Sequence, residues 1–579
     1  MVRKSGFVVM SLVIAAVMLF GLVNNLQVGA QEGPKYGGTL VSSCALEPTT
    51  GLLALTTDER SYFCFSNVYA GLVQYDMNLI PHPWLAESWD TSSDGLVWTF
   101  NIVHNATFHD GVPVTSADVQ FSVLNVSLPY NPWATKVFSY IDTVETTDNY
   151  TVVFKLKTVC PVFLAGFAPK RFTVVAKHLY EGTDILSNPY NMAPIGCGPF
   201  MFSEWVHGDH VTLVRNPNYF RSPLPYLDKI ITKIVNAWAA TVTLLDTGAI
   251  DYIPVYTPAE EVGRLRWNTN YNFSNAEYSA VQSMRFVSFN MDPKNTSPIQ
   301  DINVRKAIAH AINPNLHITK AEYSNAMECA GSIFSPMTFA WNPSPSTTYP
   351  YNVTLANQIL DNAGYPRGSD GVRFHLHAPV NQLEYIARNM DLLAIELKEI
   401  GIVLDVEYRQ SVVNAQLTHR EKDYDITVDA YEVGPDPIIG GDRLYLSTRI
   451  SNVSTYCNLA SFNNSRVDQL ADIAGKTMNA TLRRECYYEI NEIILEKLSY
   501  FGIFGAAYVS TWRNTFQGMP VGPYGFTDPA DKVWWTLAAG AVTEEGASGI
   551  PLEILVPVIV AVVAIAGVGV YAYARRRRK

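Results

Sequence analysis

Between Val372 and Tyr431 the hydrophobic period changes repeatedly, and that pattern limits the folds open to the chain more than any other feature. Val372, Phe374, Leu376 and Ala378 alternate with Arg373, His375 and His377, the period of two expected of a half-buried strand. Leu383, Ile386, Met390, Leu393, Leu397 and Ile400 then recur at helical spacing, and Gly401 supplies the residue that most often ends a helix. Ile402, Leu404, Val406 and Tyr408 alternate again, Ser411 to Glu421 is predicted to be a second helix, and Tyr424 to Tyr431 a third strand. A β-α-β-α-β order predicts a parallel α/β sheet, because each crossover helix returns the chain to the same edge. The alternation also turns His375 and His377 towards solvent and away from any metal-binding role.

Upstream, Val304 to Ile312 and Leu355 to Ala363 are predicted helices, the latter stopped by Gly364. The first half is richer in strand. Val97 to Val103 and Tyr150 to Leu156 are strand-like, and His207-Gly208-Asp209-His210 separates two apolar runs as a hairpin turn does. Strand ends in a hairpin account for both histidines better than metal ligation. Thr115 is the expected N-cap of a helix containing Asp118, Val119 and Phe121.

The chain ends speak to location. Arg3 and Lys4 precede an apolar run from Phe7 to Val23, and the small residues Gly29 and Ala30 lead to Gln31, so residues 1–30 are expected to be a signal peptide, with an uncleaved anchor as the alternative. Ile554 to Ala574 is 21 residues without a charge, followed at once by Arg575 to Lys579. That is long enough to cross a bilayer of roughly 30 Å, with the basic tail on the cytoplasmic side and the rest of the chain outside. Between these ends the body holds 35 basic and 53 acidic side chains, a net −18, which disfavours nucleic acid and anionic lipid as partners. Nine Asn-x-Ser/Thr sequons, from Asn105 to Asn479, are consistent with a glycosylated surface protein.

Enzyme and metal chemistry find little support. No His-Glu-x-x-His, Gly-x-Ser-x-Gly or complete phosphate loop occurs; Gly475-Lys476-Thr477 lacks the upstream glycine, since Leu470 stands there. No catalytic residue, metal or cofactor is therefore expected, and a surface hydrolase built on two carboxylates remains only as a rival class. The seven cysteines contain no Cys-x-x-Cys pair and allow three disulfides with one spare thiol. Spacing does not fix the pairing; the expectation is Cys44 with Cys64, Cys160 with Cys197 and Cys329 with Cys457, leaving Cys486 on a helix.

Five ordered blocks resemble a known family. They are Leu85 to Val123 (LAESWDTSSDGLVWTFNIVHNATFHDGVPVTSADVQFSV), Ile195 to Tyr219 with IGCGPFMFSEW and VTLVRNPNY, Phe289 to Asn313, Leu355 to Tyr365 (LANQILDNAGY), and Phe462 to Leu498. They are similar to the family 5 extracellular solute-binding proteins of ABC importers, here in a membrane-anchored, archaeal-type form. The resemblance implies a two-lobed α/β fold of the periplasmic-binding-protein kind (type II), with an extra subdomain in the first lobe. It implies a first lobe over 36–278, a second over 279–503, a return to the first over 504–540, a linker over 541–553, the membrane helix over 554–574 and a cytoplasmic tail over 575–579.

It also implies capture of oligopeptides in the cleft between lobes and delivery to ABC permease subunits, whose ATPase partners lie on the cytoplasmic side; an oligosaccharide is the alternative ligand. Peptide-binding members place an aspartate four residues before an Asp-Pro step to pair with the ligand ammonium. In Ala430 to Pro437 (AYEVGPDP) that position is Val433, with Glu432 or Asp436 as substitutes. Trp341, Tyr431, Tyr456 and Trp512 are the aromatic candidates for the cleft.

Overall fold

The computed structural model describes residues 33–535 apart from 77–79, 169–171, 255–256, 275–282, 432–435, 455–456, 507–508 and 521–529. The expected signal peptide, linker, membrane helix and basic tail therefore lie outside the described residues, as do Glu432, Val433 and Tyr456. Among the described residues no helix is long and apolar enough to cross a membrane.

One lobe is built on a seven-stranded sheet in the order Tyr271–Phe273, Thr511–Arg513, Tyr252–Ile253, Thr39–Cys44, Lys229–Ile234, His210–Arg215 and Phe200–Val206. Thr39–Cys44 runs parallel to Lys229–Ile234, and the last three strands form an antiparallel ribbon. The expected hairpin is there: Gly208 sits at φ +77°, a conformation that costs a glycine little. Its histidines bond to carboxylates, His207 to Glu47 and His210 to Asp209 and Glu204.

A second, antiparallel sheet in this lobe joins Ala86–Thr91, Val97–Ile102, Thr151–Leu156 and Ile141–Asp148. Phe100, Phe138, Phe154, Phe163, Phe167 and Phe172 pack edge to face or tilted beneath it, with ring centres 5.0–5.7 Å apart. The helix Ser116–Phe121 is capped as expected, with Thr115 and Asp118 bonding reciprocally.

The other lobe centres on the antiparallel sheet Ala326–Gly331, Tyr500–Ala506, Ser283–Phe289 and Ile426–Tyr431. Beside it Phe374–Asn381 and Ile402–Arg409 pair in parallel, in register from Phe374 with Ile402 to Asn381 with Arg409. The all-parallel expectation is thus corrected to a mixed arrangement. The third strand of the β-α-β-α-β unit gives its ladder to Ser283–Phe289, and meets the first strand through Asp425 N–H donating to His377 O (2.9 Å) and Thr427 Oγ1 donating to Pro379 O (2.7 Å). Pro379 has no N–H to offer a full ladder, so side chains complete the join.

Glu384–Glu399 covers this lobe with Ile386, Met390, Leu393 and Leu397 buried, and Gly401 at φ +79° ends the turn. The second predicted helix forms as Ser411–Ala415 continuing into a π-turn over Gln416–Glu421.

Between the helix Glu384–Glu399 and Pro314–Lys320 lies a buried polar group. His317 Nδ1 meets Asn389 Oδ1 at 2.8 Å and Nε2 meets Glu396 Oε2 at 3.1 Å. Asn389 Nδ2 donates to Tyr385 O, so its oxygen faces the ring and accepts from Nδ1. Glu396 also accepts from Asn313 N–H at 2.9 Å. His317, Asn389 and Glu396 are all buried. Glu396→Ala should cost about 1–3 kcal/mol in urea denaturation by leaving the Asn313 N–H and the His317 ring without their acceptor, whereas Glu396→Gln, which keeps an acceptor oxygen, should recover part of that loss.

Candidate ligand cleft

Strand direction locates the cleft. Ile426–Tyr431 and Tyr500–Ala506 both end, and Ser283–Phe289 begins, on the side of their sheet that faces the first lobe. The chain passes between lobes beside these ends. There Ser274 N–H donates to Ser510 O (3.0 Å), Ser510 N–H donates to Ser274 Oγ (2.9 Å), and the Thr257 and Thr511 hydroxyls share a bond of 2.9 Å. Tyr500–Ala506 extends past the expected lobe boundary at 503, and Thr511–Arg513 already belongs to the first-lobe sheet.

Alternation along Ile426–Tyr431 sends Ile426, Val428 and Ala430 under the helix Glu384–Glu399 and puts Asp429 and Tyr431 on the opposite face. Tyr431 is buried, and the Arg443 guanidinium lies 4.2 Å from its ring centre. Its hydroxyl is 2.7 Å from His419 Nε2. Thr418 donates its hydroxyl proton to Asn414 O, so His419 Nδ1 carries the proton given to Thr418 Oγ1, and Nε2 accepts from Tyr431. Burial, reinforced by Lys422 and Arg443, pushes His419 down to about 3, so the ring is neutral at pH 7. Its approach of 3.6 Å to Asp429 is therefore not an ion pair.

Asp429 is the exposed nerve of this group. Its hydrogen bond comes from the adjacent Ala430 N–H (2.7 Å), and burial raises its carboxyl to about 6 against the pull of Arg443 and Arg285. On the other face of the sheet Arg285 stacks 4.6 Å from the Tyr385 ring centre and stands 3.9 Å from Glu322, a buried pair too far apart for a hydrogen bond. Burial likewise raises Glu322.

The candidates named from sequence separate in the structure. Asp436 is committed: Arg483 Nη2 reaches its two oxygens at 2.8 and 3.1 Å, and it caps Pro437–Gly440 through Ile438 N–H. A carboxylate already neutralised in this way has little left for a ligand ammonium. Trp512 is 8% exposed in the first-lobe core, and Trp341 packs within the second lobe with Nε1 donating to Cys329 O. Tyr431 stands at the cleft end of its strand. Asp429, His419, Arg443 and Arg285 are not named from the sequence; the signal for the first is the polar-apolar alternation of Thr427-Val428-Asp429-Ala430, which places a carboxylate on the strand face that also carries Tyr431.

The lobes also touch away from the crossings. Ile439 is buried among first-lobe aromatic residues with Ile438 beside it, and Lys136 Nζ lies 3.6 Å from Asp442 Oδ1. A cavity of about 330 Å³ adjoins this seat, lined in part by Tyr140, Ile438, Asp442, Arg449 and Lys476. On the far side Arg266 Nη2 donates to Asn325 Oδ1 at 2.7 Å, and Glu260 stands 3.9 Å from Arg388.

Residues 81–452 match the bacterial extracellular solute-binding proteins, family 5. The chain belongs to this family. Among its relatives, the oligopeptide-binding protein AppA of Bacillus subtilis is 26% identical over 504 residues, covering 84% of this chain and 88% of AppA. The heme-binding protein A of Haemophilus influenzae is 24% identical over 542 residues, covering 89% and 96%. The crystal structure of the ABC transporter substrate-binding protein CtaP from Listeria monocytogenes superposes with a TM-score of 0.75 at 25% identity, over 87% of this chain and 100% of CtaP. AppA from Bacillus subtilis in complex with a nonapeptide gives 0.68 at 23%, over 87% and 100%. The fold of this solute-binding protein is accordingly the two-lobed α/β form, and these relatives carry the names of binding proteins.

Two outcomes test the cleft geometry. Because the Asp429 carboxyl is raised above the unfolded value of about 3.9, its charge opposes folding; Asp429→Asn should stabilise the protein above about pH 6, with the gain fading as pH falls towards 4, measured by chemical denaturation across pH. Ile439→Asp places a charge in the apolar seat and should enlarge the radius of gyration in solution scattering; an unchanged curve would remove that seat as a closing contact.

Proposed function

We propose that this chain is the substrate-binding protein of an ABC importer and captures oligopeptides between its lobes. The observation that carries this reading is the cleft itself: two lobes joined by two crossings, with a buried polar cluster at the strand ends facing the gap. A ligand touching both lobes stabilises the closed form in proportion to its differential affinity, and a permease can read that form. The oligopeptide-binding name of AppA, and its structure with a nonapeptide, support the ligand class. We read the chain as a binding protein without catalysis.

One observation favours the oligosaccharide as a second reading. Val433 occupies the position where family peptide binders carry an aspartate, and Asp436 is taken up by Arg483. An ammonium left unpaired in a closed cleft would be costly, so a peptide must find its counter-charge elsewhere, and among the described residues Asp429, with one local hydrogen bond, stands nearest along the chain.

The proposed setting is the outer face of a membrane. Its support is the uncharged run Ile554 to Ala574 with Arg575 to Lys579 behind it, and the apolar segment following Arg3 and Lys4. The expected lobes, 36–278 and 279–503 with a return over 504–540, form part of this proposal. So does glycosylation, supported by the solvent exposure of Asn105, Asn125, Asn149, Asn352, Asn452, Asn463 and Asn479.

Native mass spectrometry of the purified full chain, followed by thermal-shift titration with peptides and with cello- and malto-oligosaccharides, should release a bound peptide and show peptides alone raising the melting temperature. A rise with sugars and none with peptides would replace the ligand class. Turnover of either would overturn the assignment as a binding protein.

A further inference from the structure

All seven cysteines are buried free thiols, and their surroundings differ. Cys44 ends the central strand Thr39–Cys44 of the seven-stranded sheet, and Cys64 lies in the last turn of the helix Glu59–Phe65. The helix Glu59–Phe65 packs against the strand Thr39–Cys44. Cys44 Sγ also reaches Leu46 O at 3.1 Å and Arg60 O at 3.9 Å, which sets it against the helix one turn before Cys64. Both belong to one apolar cluster with Leu40, Tyr62 and Phe65, so neither sulfur is directed at solvent.

The other five lie elsewhere. Cys160 and Cys197 belong to a different core cluster of the same lobe, where burial raises both thiols. Cys329 is buried in the second-lobe core beside Gly502. Cys457 Sγ donates to His419 O at 3.4 Å and accepts from Lys422 Nζ at 3.7 Å. Cys486 stands on the helix Ala480–Lys497 beside Glu489 and Arg466.

We infer that Cys44 and Cys64 form this protein's one disulfide under oxidising conditions, tying the central strand of the first lobe to the helix behind it, while the other five cysteines stay reduced. The oxidant is a small-molecule disulfide such as cystine or oxidised glutathione. The Cys44 thiolate attacks one of its sulfurs, forming a mixed disulfide and expelling one small thiolate. Cys64 then loses its proton and attacks the Cys44 sulfur, releasing the second small thiolate. Two protein thiols are oxidised by two electrons and one small disulfide is reduced to two thiols. Because both sulfurs are buried, exchange proceeds while the first-lobe core is still open during folding, and the finished bond is shielded from reductant. The link closes a loop within the first lobe, which restricts the unfolded chain and raises the melting temperature.

The test uses the full chain, refolded with oxidised glutathione or with excess reductant, then denatured and alkylated. Intact mass should show five alkyl groups on the oxidised protein and seven on the reduced one, and proteolysis without reductant should yield a peptide joining the segments that hold Cys44 and Cys64. The oxidised form should melt several degrees higher, and Cys64→Ser should abolish that difference. Seven alkyl groups after oxidation, a link between Cys160 and Cys197 or between Cys329 and Cys457, or a redox-dependent melting shift that survives in Cys64→Ser would each overturn the proposal. Should Cys64→Ser fail to fold, the peptide map of the unaltered chain decides alone.

Discussion

The molecule depends on a pair of antiparallel segments that serve both sheets. Tyr271–Phe273 and Thr511–Arg513 pair at the edge of the first-lobe sheet, and the same two passages of chain pair again as Ser283–Phe289 and Tyr500–Ala506 in the second. With two crossings, bending at the junction is opposed by few bonds, while the strands on either side are held by full ladders. The mutual bonds of Ser274 and Ser510 fix the register at which the pair leaves the first lobe. Farther in, the ladder slips between Arg285 and Phe286 and again between Glu328 and Gly331, opposite Gly502. A Cβ at Gly502 would stand 1.8 Å from Ser332 O, so only glycine allows this close approach. The slip matters because it re-aims the side chains at the cleft end, Arg285 among them.

Charge is handled sparingly at that end. Only 16% of the chain is charged, and a buried charge such as Asp436 has a dedicated partner in Arg483. Asp429 is different. It sits between a neutral histidine and a stacked arginine, with one short local hydrogen bond, and its carboxyl is raised in consequence. A protein that leaves a carboxylate under-partnered in a desolvated place bears a standing cost, and binding sites are where such costs recur.

Much of this was legible in the sequence, and the gaps have physical causes. Local signals did well: the hairpin at Gly208, the cap at Thr115 and the helix ended by Gly401 all depend on residues within a few positions of one another. Pairing across the chain was not legible. Nothing near Ile426–Tyr431 reveals that its ladder partner is Ser283–Phe289, more than a hundred residues earlier, and the parallel expectation failed there. The same holds for Asp436 and Arg483, whose contact converts an apparent ligand carboxylate into a structural one. Trp512 looked like a loop residue because the strand Thr511–Arg513 is too short to show a period.

The segment from Tyr431 to Asp442 has one end in the candidate cleft and the other in the contact between the lobes. At one end it carries Tyr431, fixed by His419 and Arg443; at the other it supplies Ile438, Ile439 and Asp442 to the first lobe. Asp436 between them is held by Arg483 in a buried ion pair and caps the short helix that carries Ile438 and Ile439. The carboxylate that the sequence offered to a ligand thus serves the contact between the lobes instead.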